Sequence, residues 1–261
     1  MFTARRRKAS PGEETSYWVS FADVMAGLLI VFILAVAALM LQLMFREGEL
    51  ASQVESKQQQ EAQFEEQIEM LTNAEQVRTD VLAEIQEQLR AEGIEVTVSA
   101  DATVLSIPTS QLGFASGQDE IPEASAAAAQ RIGEIISDVL RRDGRTEYLD
   151  TVFIEGHTDA VPYDAPKGNW GLSTYRAISL WQLWEERVSG DRSLAALTNA
   201  EGRPLFSVSG YANTRPVENA PAGAVEFEQN RRIDIRITIV RPSSEDLEAI
   251  LDEYVAEDGD E

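Results

Sequence analysis

The feature that most constrains this chain is an apolar stretch near its start. From Tyr17 to Phe45 the sequence carries a single charged residue, Asp23. As an α-helix these 29 residues would be about 43 Å long, whereas the hydrocarbon core of a bilayer is about 30 Å thick. A cleaved signal peptide is the alternative, but its apolar region spans only about 7–15 residues. The length of the stretch therefore favours a retained transmembrane helix.

Charge on either side of this stretch predicts its orientation. Four basic residues occupy positions 5–8, whereas the part of the chain that follows the stretch is acidic. Basic flanks stay in the cytoplasm. We therefore expect residues 1–16 to be cytoplasmic, residues 17–45 to span the membrane once, and the remainder to lie on the outer side. The net charge of −23 also argues against nucleic acid as a partner, because an acidic surface repels phosphate.

Asp23 lies one to two turns inside the predicted membrane helix. A charged Asp near the bilayer centre costs about 2.5–3.5 kcal/mol, so this carboxyl is a candidate to carry H⁺ or Na⁺. The alternatives are a carboxyl near enough to the interface to stay hydrated, and one that caps a helix. Small residues around it would let other helices approach and cover the carboxyl: Ser20, Ala22, Ala26 and Gly27. Because one helix does not enclose an ion path, we expect a partner membrane protein.

A stalk is predicted over residues 46–92, which are rich in Glu and Gln and contain no Pro. A heptad pattern begins at Leu50, and eight of its twelve core positions are apolar. The pattern favours a helix that pairs with a second copy as a coiled coil. A solvated single helix or a partly disordered linker is the alternative. Gly93 is expected to end the helix.

The rest of the chain predicts an α+β domain over residues 94–241. Its segments alternate between strand-like and helix-like patterns, which indicates one mixed sheet covered by helices. The expected strands are Ile94–Ser99, Ala102–Ile107, Thr151–Glu155, Phe206–Ser209 and Ile233–Val240, and the expected helices are Pro122–Arg142 and Leu172–Val188. Residues 242–261 form an acidic tail.

The chemistry available to this domain is limited. The chain has no Cys and a single His, His157, which makes a metal site improbable. There is no paired nucleophile and base and no phosphate-binding glycine loop. We therefore expect no catalytic residues, no bound cofactor and no enzyme activity.

Several ordered motifs give the domain a specific resemblance. They are Glu155-Gly-His-Thr-Asp159, Asn169-x-x-Leu172-Ser173-x-x-Arg176-Ala177, Gly210-Tyr-Ala and Asn230-Arg231-Arg232-x-Asp234-Ile235, with Phe114-Ala-Ser-Gly117 upstream. Together they resemble the OmpA-type peptidoglycan-binding domain. This chain differs in having a longer loop between Asp159 and Asn169.

The resemblance implies a site for the diaminopimelate of the wall's stem peptide. Asp159 would bind the ligand's ammonium, and Arg176 would bind its carboxylate. Asn169 and Leu172 would shape the pocket, with Thr158 beside it. From the residues alone, a simple ion pair between Asp159 and Arg176 is the alternative.

The two ends of the chain together resemble the B-type subunits of ion-driven stators. The segment Trp18-Val-Ser-Phe-Ala-Asp23-Val-Met-Ala-Gly-Leu-Leu resembles both MotB of flagellar motors and ZorB of the Zorya anti-phage system, and is more similar to ZorB. The resemblance implies a homodimer of this chain inside a pentamer of a multi-pass A-type subunit similar to ZorA or MotA. The transported ion would be H⁺ or Na⁺. A passive tether between membrane and wall, with Asp23 only structural, remains the other possibility.

Overall fold

A computed structural model describes residues 12–217 and 227–241, with side chains from Trp18 onward. The chain divides into two compact units, Met1–Phe64 and Glu65–Glu261. The basic residues at positions 5–8 and the acidic tail predicted over residues 242–261 lie outside the described residues.

The first unit contains the beginning of a long helix, α1 (Gly12–Ala91). Of the described helices, α1 is the one long and apolar enough to cross a membrane, judged by length and composition. Its side chains from Trp18 to Phe45 are exposed in the isolated chain. Asp23 lies about three turns after Gly12, which excludes the role of a cap at the start of this helix.

The second unit begins with the last turns of α1, which belong to a packed core. Leu82, Ile85 and Leu89 are fully buried. The heptad pattern places the same three residues on a coiled-coil seam, but here they pack against the domain that follows. The helix ends at Ala91, and Gly93 adopts a left-handed φ of 78° just beyond it, as the sequence predicts.

A five-stranded mixed sheet forms the centre of this unit. The strands are β1 (Thr97–Val98), β2 (Val104–Pro108), β3 (Leu149–His157), β4 (Phe206–Gly210) and β5 (Arg232–Ile239). Their order is β1-β2-β5-β3-β4, with β3 and β4 parallel and the other neighbours antiparallel. Four of the expected strands are confirmed within a few residues.

The first expected strand is much shorter than its alternating pattern indicates. Only Thr97 and Val98 of the segment Ile94–Ser99 join the sheet. Ile94 and Val96 are buried without strand pairing and belong to the same core as the end of α1. The alternation therefore reports burial rather than a full strand.

Helices α2 (Thr109–Leu112), α3 (Glu123–Leu140) and α4 (Gly168–Arg187) complete the unit, together with four short 3₁₀ turns in the described residues. α4 packs on β3 and β4 and against α3. Trp184 of α4 is fully buried, and its Nε1 donates a hydrogen bond of 2.7 Å to the carbonyl of Ala129 in α3. Bulky apolar side chains from helices and strands thus share one core.

Candidate functional site

The carboxyl end of β3 and the start of α4 form the edge of a pocket. Thr158 and Asp159 directly follow β3, while Asn169, Leu172 and Arg176 lie on the first turns of α4. All five residues line one pocket of about 160 Å³. The structure therefore brings together every residue that the sequence proposes for this site, and their role in binding stays a prediction.

A close approach of two backbones sets the geometry of this edge. Gly156 of β3 lies against Ser173 of α4, and a Cβ at Gly156 would lie 2.6 Å from the Ser173 carbonyl carbon. The Ser173 hydroxyl also accepts a 3.0 Å hydrogen bond from the amide of Ala212, whose carbonyl in turn accepts one of 2.8 Å from Thr158. Strand, helix and the segment after β4 are therefore locked together beside the pocket.

Asp159 is almost completely buried and has two partners in the protein. Its Oδ2 lies 2.8 Å from Nη1 of Arg231, and its Oδ1 accepts a 3.3 Å hydrogen bond from the amide of Val161. The ion pair that Asp159 forms is thus with Arg231, whereas the sequence alternative named Arg176. Arg231 directly precedes β5 and lines the same pocket.

Arg176 is 2% exposed and is held by the segment between α2 and α3. Its Nε donates to the carbonyl of Gln118 at 2.8 Å, and its Nη2 donates to the carbonyl of Ala115 at 3.0 Å. The guanidinium also stacks over the ring of Phe114 at 5.3 Å. These contacts orient one side of the guanidinium toward the pocket that it lines.

The charges around Arg176 oppose one another. Burial lowers the pKa of Arg176 from its ordinary value, the positive charge of Arg231 lowers it further, and the Asp159 carboxylate raises it. An arginine nevertheless stays protonated in proteins. The site therefore holds two cations and one carboxylate, and an added carboxylate would improve its charge balance.

Three uncharged residues complete the predicted set. Asn169 donates from Nδ2 to the carbonyls of Val161 at 3.0 Å and Asp159 at 3.4 Å, which ties the loop after β3 to α4. Leu172 is mostly buried and presents an apolar surface to the pocket. The hydroxyl of Thr158 is buried and has no hydrogen-bond partner among the described residues. It is therefore a free donor and acceptor at the pocket wall.

Sequence reasoning missed part of this site. Arg231 belongs to the Asn230-Arg231-Arg232 motif that carries the resemblance, but the sequence gives it no predicted role in the pocket. Tyr163 and Gly117 also line the pocket. Tyr163 lies in the long loop of this chain, and no sequence pattern indicates that its ring folds back over Gly117.

A second polar cluster lies near the same edge of the sheet. His157 Nε2 is 3.1 Å from Asp234 Oδ2, Arg232 pairs with Asp234 at 3.0 Å, and Ser106 donates to Asp234 at 2.6 Å. Burial opposes ionisation of Asp234, but His157, Arg232 and Ser106 together hold its pKa below the ordinary value. His157 stacks on Tyr211 and is buried, in keeping with a structural role.

The fold and motifs together define the class of this domain. Residues 113–231 match the model of the OmpA family. The fold is therefore α+β, with a long apolar N-terminal helix and an OmpA-like C-terminal domain built on a mixed sheet, as the sequence predicts.

Solved structures with a similar fold include three bacterial proteins. The cell wall anchor of the type VI secretion system (T6SS) from Pseudomonas aeruginosa is 24% identical over 61% of this chain and 97% of its own, with a TM-score of 0.41. The periplasmic domain of Helicobacter pylori MotB is 21% identical over 58% of this chain and 85% of its own, with a TM-score of 0.41. A putative MotB-like protein from Desulfovibrio vulgaris is 20% identical over 66% of this chain and 96% of its own, with a TM-score of 0.46. No curated protein sequence matches this chain.

Proposed function

We propose that this chain is the ion-carrying, wall-anchored B-type subunit of an inner-membrane stator. The observation that carries the proposal is the pocket in which Asp159 and Arg176, carboxylate and guanidinium, face a shared space of about 160 Å³. That arrangement suits a ligand that carries both an ammonium and a carboxylate.

The proposed wall ligand is the diaminopimelate of the peptidoglycan stem peptide. Arg176 would hold the ligand's carboxylate with the part of its guanidinium that does not bond to the loop carbonyls. Asp159 would accept the ammonium while keeping its pair with Arg231, since a carboxylate has about four lone-pair sites. The free hydroxyl of Thr158 and the apolar side of Leu172 supply further contacts.

The membrane half of the proposal depends on Asp23. In α1 this carboxyl lies within an otherwise uncharged apolar stretch, where it would take up H⁺ or Na⁺ from the periplasmic side. An A-type partner similar to ZorA or MotA, five copies around two of this chain, would supply the enclosing helices. Each ion crossing 100 mV would release about 2.3 kcal/mol. The wall domain would keep this subunit still while the partner ring turns.

Within this class, we favour the Zorya anti-phage subunit over the flagellar subunit. The sequence around Asp23 supports this choice, because Ser-Phe-Ala-Asp23-Val-Met-Ala-Gly-Leu is more similar to ZorB than to MotB. Protection against phage in cells that carry the full gene set would support Zorya, and loss of swimming upon deletion would support the flagellar alternative. Unchanged ion flux after loss of Asp23 would favour a passive tether.

Wall anchoring is tested by cosedimentation of the full chain, in detergent, with purified peptidoglycan sacculi. We expect Arg176→Met to weaken binding at least tenfold, since it removes the proposed carboxylate partner. Asp159→Asn, which keeps the shape of the side chain, should weaken binding similarly. Arg187→Ala is the matched control, because Arg187 lies on the same helix and pairs with Glu123 at the surface. Equal sedimentation of all four proteins would refute the assignment of this pocket.

A further inference from the structure

Uncharged residues of a single loop form part of the pocket wall. Val161, Pro162 and Tyr163 line it, and all three belong to the loop between Asp159 and Asn169. Two hydrogen bonds hold the start of this loop, one from the amide of Val161 to Asp159 and one from Asn169 to the carbonyl of Val161. The loop is therefore fixed to the site residues themselves.

Tyr163 extends from this loop across to the segment that holds Arg176. A Cβ added at Gly117 would lie 3.2 Å from Cε2 and 3.8 Å from Cδ2 of Tyr163, so the ring edge lies directly over the Gly117 backbone. Gly117 has a φ of 69°, a conformation that disfavours any side chain. The ring and the bare backbone thus close one side of the pocket.

Diaminopimelate carries a chain of methylenes next to its ammonium and carboxylate groups. Burying methylenes against an apolar surface is favourable, because it removes them from water. Among the described residues that line the pocket, Tyr163 is the one with an aromatic ring.

We propose that Tyr163 is a ligand-contacting residue of this site, and that Gly117 fixes the position of its ring. The ring would pack on the aliphatic chain of diaminopimelate while Asp159 holds its ammonium and Arg176 its carboxylate. The inference rests on the proposed wall-binding function and assigns a role to the loop that is longer in this chain than in the domains it resembles.

Titration calorimetry of the full chain in detergent with meso-diaminopimelate tests this role. Tyr163→Ala should weaken binding about tenfold, because it removes the ring contact. Tyr163→Phe should stay within about twofold of the unmodified chain, since it keeps the ring. An unchanged affinity in Tyr163→Ala would overturn the inference, and so would an equal loss in Tyr163→Phe, which would assign the effect to the hydroxyl.

A double-mutant cycle tests the part played by Gly117. Gly117→Ala should weaken binding more in the unmodified chain than in Tyr163→Ala, because the added methyl displaces a ring only where a ring is present. Equal effects in both backgrounds would overturn the contact between Gly117 and Tyr163. Tyr175→Ala is the control, because Tyr175 is a half-exposed aromatic on α4 that does not line the pocket.

The same titration separates this inference from the function on which it rests. Binding by the unmodified chain and loss in Arg176→Met establish the site, and the Tyr163 variants then decide the role of the ring. Absence of binding by the unmodified chain would overturn the proposed wall-binding function, and the role of Tyr163 with it.

Discussion

Replacing Gly156 with Ala probes the contact that holds the site together. The new Cβ would lie 2.6 Å from the carbonyl carbon of Ser173 and nearer still to its oxygen. Carbon atoms pack best at about 3.5–4.0 Å, so strand and helix would have to separate by about 1 Å or more. The obstacle is backbone on both sides, and rotation of a side chain does not relieve it.

The free energy of unfolding that Gly156→Ala removes follows from the clash between the backbones of β3 and α4. Overpacking in a core costs typically about 1–3 kcal/mol, and a clash between two backbones belongs at or above the upper end. For a unit of this size, about 3 kcal/mol corresponds to a fall in melting temperature of roughly 6–12 °C. Thermal unfolding of the full chain, followed by circular dichroism at 222 nm and by tryptophan fluorescence, measures this fall in melting temperature.

Gly171→Ala is the comparison, because it adds the same methyl group to α4. That methyl would lie 3.1 Å from the Cβ of Lys167 and from the carbonyl oxygen of Pro166, and it also favours helix. We expect a change within about 1 kcal/mol. If Gly156→Ala melted within about 1 °C of the unmodified chain, β3 and α4 would not approach as described.

The same variant, Gly156→Ala, should also weaken binding of the ligand. Asp159 follows β3 and Arg176 lies on α4, so separation of the two elements changes the distance between the proposed charged partners. Binding sites tolerate about 0.5 Å of misplacement. We therefore expect Gly156→Ala to bind meso-diaminopimelate at least tenfold more weakly at temperatures where it is still folded. Unchanged affinity would show that the site does not depend on this contact.

Three further predictions concern other parts of the chain. Gly133→Ala should destabilise the second unit by about 1–3 kcal/mol in chemical denaturation, because its Cβ would lie 2.6 Å from the fully buried ring of Trp184; a neutral effect would contradict that packing. Because the pKa of Asp234 is lowered in the folded state, its ionisation stabilises the fold above about pH 4 and less as pH falls through the lowered value. Asp234→Asn should therefore flatten the loss of stability that occurs as pH falls below about 4, and an unchanged pH profile would refute this. In this Cys-free chain, Val54→Cys should crosslink two copies on oxidation while Gln53→Cys does so less, and equal crosslinking would contradict the heptad.

Much of the fold follows from local patterns in the sequence. The helix over Glu123–Leu140 buries one face, and the strand over Arg232–Ile239 has a buried isoleucine at every second position, so the periodicity of each sequence reports its structure. The apolar stretch around Asp23 likewise predicts a long helix. These elements could be predicted because each one carries its own signal.

What the sequence did not show depends on contacts between distant segments. Leu82, Ile85 and Leu89 fit a heptad as well as they fit the face of a helix that packs on a domain, and only tertiary structure separates the two. α4 begins at Gly168, before the expected Leu172, because Lys167 takes a left-handed φ and starts the helix immediately after the loop.

The sequence predicts residues that line the pocket, but it does not predict the ion pair that Asp159 forms. Motif residues identified Asp159 and Arg176, yet the partner of Asp159 is Arg231, which lies 72 residues further along the chain. Tyr163 reaches the pocket through the path of its loop, and loop paths leave no periodic signal. Long-range pairing and loop geometry are therefore what the structure adds.

Ion flux through Asp23 tests the central claim most directly. The chain and its A-type partner would be reconstituted in liposomes, and flux of H⁺ and Na⁺ measured for the unmodified chain and for Asp23→Asn, with assembly checked by copurification. The account predicts flux that Asp23→Asn abolishes while the complex still assembles, together with loss of phage protection in cells. Equal flux and retained protection in Asp23→Asn would contradict it and leave a protein that only connects membrane and wall.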